Sequence, residues 1–164
     1  MLVAAGTLDA KFGGLNVGGA TKVDSNDQKI QNLEYGFAFD DTRRSVYTAA
    51  FRNVRHPLFE VFDFADINAS QGRRAASTVA PQALFLLNHP WVAARARAAG
   101  QHLGTRPGPL SDRLDHAWAL TLARAPLPAE RAAALAHLWT NDSPEGWATL
   151  VLSLFASADF RLVD

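Results

Sequence analysis

Cysteine is absent from the 164-residue sequence. The chain therefore carries no thiol nucleophile, no thiolate zinc site and no CxxCH motif for covalent haem attachment. We accordingly expect no cofactor and no metal site within this chain. A chain of this size can bury a sizeable core without disulfides, so the lack of cysteine does not indicate a compartment.

Excess charge of either sign is also lacking. Sixteen Lys and Arg balance sixteen Asp and Glu, with nine against nine in residues 1–80 and seven against seven in residues 81–164. This balance argues against a nucleic-acid partner or a polybasic membrane surface. The two arginines Arg95 and Arg97 are too few for a DNA phosphate footprint.

Long hydrophobic runs are missing as well, and none approaches the roughly 20 residues of a membrane span. The first six residues, MLVAAG, lack the basic and long apolar regions of a signal peptide. They are more typical of the end of a helix closed by Gly6, whose beginning we expect upstream. We therefore predict a single domain, 1–164, that forms the C-terminal part of a larger domain or protein.

Composition divides this domain into three segments. Residues 1–42 are an irregular arm with turn signals at Gly13-Gly14 and Gly18-Gly19, residues 43–80 are rich in polar motifs, and residues 81–164 form a helical bundle. Residues 45–51 alternate partly and predict a strand, whereas residues 58–64 fit a strand or a helical turn. The predicted fold class is α+β, mainly α: an irregular N-terminal segment with one or two short strands, packed on four to five helices.

Helical spacing dominates after Pro81. Pro90 either kinks the first helix or starts a second one capped by Asn88. A later helix places Leu135, Leu138 and Trp139 on one face, and Ser143 caps the last helix. All four tryptophans and 18 alanines lie in residues 81–164. Small residues that let helices approach, with tryptophans filling the centre, predict a packed bundle rather than a catalytic cavity.

Residues 43–88 contain the densest group of polar side chains. Four arginines could clamp an anionic ligand, namely Arg44, Arg52, Arg73 and Arg74, because guanidinium groups bind carboxylate or sulfate bidentately. The alternative is internal pairing with Glu60, Asp63 and Asp66, which recur every third residue. Asp63 and Asp66 are the candidates for acid/base catalysis. The five histidines form no metal-ligand motif, and no GxSxG or dinucleotide loop occurs, so the sequence assigns no enzymatic activity.

Several spaced motifs carry a family resemblance. An RRS is followed by Tyr47, and then come an RN pair, EVFD, GRR, TVxxQAL and NHPWV, at residues 43–45, 52–53, 60–63, 72–74, 78–84 and 88–92. The segments AWALTLARAPLPAERAAALAHL and SLFASADFRLVD continue the pattern. Together they resemble a C-terminal domain of unknown function in large planctomycete-type proteins that often carry a cytochrome c-like domain.

The resemblance implies a multidomain protein of the periplasm or cell envelope, sometimes linked to polysaccharide breakdown, in which any haem would belong to another domain. Two functions remain open. One is a non-catalytic interaction module whose partners are upstream domains of its own polypeptide. The other is recognition or breakdown of an anionic polysaccharide, with the four arginines as the clamp and Asp63 or Asp66 positioning the sugar or acting as an acid/base.

Overall fold

The computed structural model describes residues 1–14, 39, 41–66, 68–70, 72 and 80–161. The chain divides into two compact units. The motif unit is Asp9–Gln82, and the helical unit combines Met1–Leu8 with Ala83–Asp164. The first eight residues thus belong with the helices rather than with the irregular arm, and the assignment of one domain stays a prediction.

The N-terminal residues join the helical unit because they are apolar. Ala4 and Ala5 are 3% and 5% exposed. Gly6 closes their turn with a φ of 64°, a left-handed conformation that glycine adopts without steric cost. The hydroxyl of Thr7 accepts a hydrogen bond of 3.2 Å from Arg95, which fixes the segment to the helical unit.

Seven α-helices lie in the described part of the chain, which confirms a mainly helical fold. They are α1 (Pro57–Val61), α2 (Ala80–Asn88), α3 (Pro90–Gly104), α4 (Leu110–Leu122), α5 (Pro128–Thr140), α6 (Pro144–Ala156) and α7 (Ala158–Arg161). Five of them have nine residues or more. Among the described residues, no helix is both long and apolar enough to cross a membrane.

The strand predicted over residues 45–51 is wrong. Ser45–Tyr47 forms one turn of 3₁₀ helix, in which the amide of Tyr47 donates to the carbonyl of Arg44 at 2.9 Å. The only β-pairing among the described residues is an isolated parallel bridge between Asp9 and Arg43. Residues of high β-propensity need a neighbouring strand to pair with, and the described chain supplies none to residues 45–51.

The ambiguous residues 58–64 begin as a helix because of the residues just before them. Pro57 occupies the first turn of α1, where its missing N–H leaves no bond unmade. The Nδ1 atom of His56 accepts a hydrogen bond of 3.1 Å from the amide of Leu58 and caps the helix. Phe59 then stacks on Phe64 with ring centroids 5.1 Å apart, so the aromatic residues form a small cluster in the motif unit.

Proline also separates α2 from α3. Pro90 starts a new helix, as one of the two sequence interpretations predicted, but the cap is His89 rather than Asn88. The Nδ1 atom of His89 accepts from the amide of Trp91 at 3.2 Å. Asn88 instead donates its side-chain amide to the carbonyl of Leu84 at 2.9 Å, in the last turn of α2.

The core of the helical unit is built around α6, which the cap of Ser143 begins as predicted. Its buried residues follow a helical spacing: Gly146, Trp147, Leu150, Val151, Leu154 and Phe155. Helices α2, α3, α4 and α5 each add one or two large buried apolar side chains, among them Leu86, Val92, Leu103, Leu114 and Leu138. The most extensive contact of α6 is with α3.

The contact between α3 and α6 depends on a glycine. A Cβ atom at Gly100 would lie 2.5 Å from the amide nitrogen of Ala148 and 2.5 Å from the carbonyl oxygen of Pro144. Real Cβ atoms do not approach backbone atoms so closely, and backbone cannot swing away as a side chain can. The absence of a side chain at this position therefore sets the distance between the two helices.

A buried arginine joins three parts of the helical unit. Arg113 on α4 is 8% exposed, forms an ion pair with Asp142 and donates to the carbonyl of Gly104 at 3.2 Å. The indole of Trp147 donates to the same carboxylate at 2.7 Å, and the guanidinium lies 5.2 Å from its ring centroid. Because the buried charge is paired, the arrangement fixes α4 against the end of α3 and the start of α6.

We expect Gly100→Ala to destabilise the chain by about 2 kcal/mol net, because overpacking against two backbone atoms outweighs the gain of roughly 1 kcal/mol from replacing glycine in a helix. Chemical denaturation followed by circular dichroism measures this loss. Gly72→Ala is the matched control, since a Cβ atom there meets nothing within 4 Å. Equal stability of the two variants would show that the α3–α6 distance does not depend on Gly100.

Candidate functional site

The structure describes two of the four arginines predicted to bind an anionic ligand. Arg44 precedes the 3₁₀ turn and Arg52 lies before α1. Both are exposed, and neither forms an ion pair with a described residue. Arg73 and Arg74 lie outside the described residues. The arginine cleft therefore stays a prediction.

The three carboxylates that recur every third residue, Glu60, Asp63 and Asp66, do not lie on one helix. α1 ends at Val61, and Asp63 follows with a φ of 53°, which turns the chain out of the helical path. Asp66 forms an ion pair with Arg55 at 3.1 Å and accepts from the amide of Asn68 at 3.0 Å. Spacing of three residues aligns side chains only while the helix continues.

The pKa of Asp66 is lowered, chiefly by the hydrogen bond from the backbone amide of Asn68 and then by the charge of Arg55. A lowered pKa keeps this carboxyl ionised at neutral pH, which suits an ion pair better than a general acid. Within the described ranges, no three His, Asp or Glu side chains come together in a way that could hold a metal ion.

The outward side of α5 has a composition that sequence reasoning missed. Its exposed residues, here called the outer face, carry no charge: Pro128, Ala129, Ala132, Ala133, Ala136, Trp139 and Thr140. The three charged or titratable residues of α5 are all half-buried, namely Glu130, Arg131 and His137. Exposed helix faces usually carry the charges, so α5 is inverted relative to the ordinary pattern. The four alanines at residues 129, 132, 133 and 136 were the feature of the sequence from which this uncharged side could have been predicted.

Trp139 corrects the prediction that the tryptophans fill the centre of the bundle. It is 85% exposed, whereas its neighbour Leu138 is fully buried. Two successive residues can share a buried side, as they do on α6, but the buried side of α5 is centred on Ala134 and Leu138, and Trp139 lies about 100° round the helix from Leu138, on the exposed side. Trp118 and Trp147, by contrast, are buried as expected.

A groove lies beside the outer face, between α5 and α6. It has a volume of about 400 Å³, and Trp118 of α4 contributes to its lining. Its apolar walls are Ala133 and Ala134 from α5 and Leu150 and Leu154 from α6. Ala133 belongs to both the groove and the outer face. The two features together form the candidate functional site, called the α5 surface below.

A polar cluster holds the first turn of α5 in place. Arg124 donates two hydrogen bonds of 2.7 Å to the two oxygens of Glu130, and its guanidinium also contacts Asp159 at 2.6 Å. The Oε2 atom of Glu130 further accepts from the amide of Leu127 at 2.7 Å and from the indole of Trp118 at 3.1 Å. One carboxylate thus fixes the start of α5 against α4 and, through Arg124, against α7.

These bonds change the titration of both charged partners. Hydrogen bonding from Arg124 is the largest cause that lowers the pKa of Glu130 to about 2, and the bonds from Leu127 and Trp118 act in the same direction. The hydrogen bonds to Glu130 and then to Asp159 raise the pKa of Arg124. Because the folded pKa of Glu130 lies below the ordinary value of 4.5, its contribution to stability is complete above about pH 4.5 and is lost as the pH falls towards 2.

We expect Glu130→Gln to lower the melting temperature at pH 7, and the difference from the wild type to shrink as the pH falls below 4.5, because protonated Glu130 also loses the charge that Arg124 binds. Thermal unfolding over a pH series measures this. Glu145→Gln is the control, since Glu145 is an exposed first-turn glutamate of α6. A difference that stays constant down to pH 2 would contradict the assignment.

Comparison with known proteins places the chain in a family. A family model described as PSD1, protein of unknown function (DUF1553), matches residues 1–138. No curated protein and no solved structure matches the chain. Since the match covers most of the sequence, the chain belongs to the PSD1 family of proteins of unknown function (DUF1553).

Proposed function

We propose that the chain is a non-catalytic interaction module that docks through the outer face of α5 on other segments of the polypeptide to which it belongs. One observation carries the proposal. Each charged or titratable side chain of α5 bonds within the helical unit: Glu130 to Arg124, Arg131 to Asp115, and His137 to the carbonyl of Gly146. The surface left to the solvent is uncharged and ends in Trp139.

The physical argument concerns what an exposed tryptophan implies. A single exposed apolar residue is ordinary, but a helix side without any charge beside a large exposed indole is not. Tryptophan is also enriched among the few residues that dominate binding energy at interfaces. Alanines around it let a partner approach the helix closely, so the indole and the small residues would act together.

A partner within the same polypeptide is favoured by the sequence resemblance, which implies large multidomain proteins. The same resemblance favours a place in the periplasm or cell envelope. Planctomycete-type proteins of that kind often carry a cytochrome c-like domain, so a haem domain is one segment on which the outer face would dock.

Hydroxyl-radical footprinting of Trp139 tests the proposal. We expect the indole to be oxidised readily in the isolated chain, because it is 85% exposed, and several-fold more slowly in the polypeptide encoded by the complete gene. Trp147 is the internal control, since it is fully buried in the helical unit. Equal oxidation of Trp139 in both samples, or a complete gene that encodes no further segment, would overturn the proposal.

A second candidate function is recognition of an anionic polysaccharide by the motif unit. It is favoured by the exposure of Arg44 and Arg52, which form no ion pair with a described residue. Arg73 and Arg74 complete the proposed clamp. The ion pair with Arg55 counts against an acid/base role for Asp66. Asp63 is then the one remaining acid/base candidate, so binding of the polysaccharide is favoured over its breakdown.

Calorimetric titration with neutral, carboxylated and sulfated polysaccharides tests this candidate. We expect salt-sensitive binding to the anionic polymers only, lost in the variant Arg44→Ala/Arg52→Ala, because each removed guanidinium removes a bidentate contact. Arg106→Ala is the matched control, as an exposed arginine of the helical unit. Binding that Arg106→Ala weakens as much as the double variant would indicate unspecific attraction.

A further inference from the structure

We infer that the groove between α3 and α6 binds a small zwitterion, meaning a molecule that carries both a carboxylate and an ammonium group. The groove has a volume of about 470 Å³, which falls in the range of roughly 300–1,000 Å³ that is usual for small-molecule sites. The inference goes beyond the proposed function and does not depend on docking through α5. It concerns a different groove, whose described lining comes from α3 and α6.

Small apolar side chains form the floor of this groove. The close contact of the two helices fixes the floor, since Pro144 and Ala148 line the groove and are also the residues that Gly100 approaches. The rest of the apolar lining is Ala93, Ala96 and Leu152. These side chains offer a short aliphatic ligand a surface to lie on, but they carry no group that would recognise it. Recognition therefore falls to the polar lining.

Four polar side chains line the two sides of the groove, and all four are exposed. Arg97 and Gln101 belong to α3, whereas Glu145 and Thr149 belong to α6. Within each pair the residues are four apart, so they lie on the same side of their helix. One side of the groove consequently carries a guanidinium group, and the opposite side carries a carboxylate.

These two opposite charges do not pair with each other. Neither Arg97 nor Glu145 forms an ion pair with a described residue. Other arginines of the helical unit do bind a carboxylate, namely Arg113, Arg124 and Arg131. Opposite charges that line one groove without pairing leave a place between them for a ligand that completes both ion pairs.

The hydrogen-bonding capacity of the two sides differs in the same sense as their charge. The hydroxyl of Thr149 donates to the carbonyl of Glu145 at 3.0 Å, so its oxygen is left as an acceptor. The two polar side chains of the α6 side thus offer acceptors, which suit the three N–H donors of an ammonium group. On the α3 side, the fork of donors of Arg97 fits a carboxylate, and the amide of Gln101 can add another donor. The ligand is therefore oriented, with its carboxylate towards α3 and its ammonium group towards α6.

An NMR titration of the isotope-labelled chain with 6-aminohexanoate tests the inference. The axes of packed helices lie about 8–10 Å apart, a distance that this six-carbon zwitterion can bridge. We expect saturable chemical-shift changes at the backbone amides of Arg97, Gln101 and Glu145. Hexanoate and hexylamine have the same carbon chain but lack one of the two charges. We expect each of them to bind at least about threefold more weakly, because one exposed ion pair is lost.

Two variants assign the binding to the groove. In Arg97→Gln we expect hexylamine to bind as well as 6-aminohexanoate, because the carboxylate of the zwitterion has lost its partner. In Glu145→Gln we expect the same equality between hexanoate and 6-aminohexanoate. A merely structural role of either residue would not produce this exchange of preference. Arg106→Gln is the matched control, since Arg106 is an exposed arginine outside the groove, and circular dichroism confirms that all three variants fold.

Four outcomes would contradict the inference. Three of them are the absence of saturable changes at the groove amides, equal affinity of the intact chain for the zwitterion and its singly charged analogues, and equal weakening by Arg106→Gln. The fourth is a dimer in analytical ultracentrifugation that Arg97→Gln dissociates, because a second copy of the chain would then occupy the groove. None of these results bears on the oxidation of Trp139, so the proposed docking through the outer face is tested separately.

Discussion

The close contact of α3 with α6 at Gly100 is the constraint on which the helical unit depends. With no side chain at this position, the backbones of the two helices approach until a Cβ atom would lie 2.5 Å from Ala148 and Pro144. That distance places α6 at the centre, where its row from Trp147 to Phe155 is buried. Helices α4, α5 and α7 also contact α6, so the orientation of α5 and the groove beside it depend on where α6 lies.

The ion pairs described in the helical unit join its helices to one another or to the loops between them. Arg113, Arg124 and Arg131 each bind a carboxylate on another element or loop. Two consequences follow. The helices keep a defined arrangement although many of their contacts are made by alanine, and the polar side chains of α5 point away from its outward side. The uncharged outer face is thus a consequence of the internal pairing.

Local sequence signals predicted the starts of helices well. They gave wrong predictions where the structure of a residue depends on residues distant in the sequence. Pro90 and Ser143 mark real helix starts, because proline and a capping hydroxyl act within one turn. Residues 45–51 have the composition of a strand, yet a strand also needs a neighbour, and composition cannot supply one. Trp139 was assigned to the core by residue type and helical spacing, whereas the buried side of α5 is centred on Ala134 and Leu138 and leaves Trp139 exposed.

The sequence by itself determined the helical class, the helix boundaries set by proline, the lack of thiol chemistry and the membership of the PSD1 family. The helical class and the helix boundaries depend on residues close together in the chain. Only the tertiary structure decided that α5 carries its charges inward and that a groove lies between α5 and α6. The physical reason is that the partners of these side chains, such as Asp115 for Arg131 and Asp159 for Arg124, are brought together by packing rather than by sequence proximity.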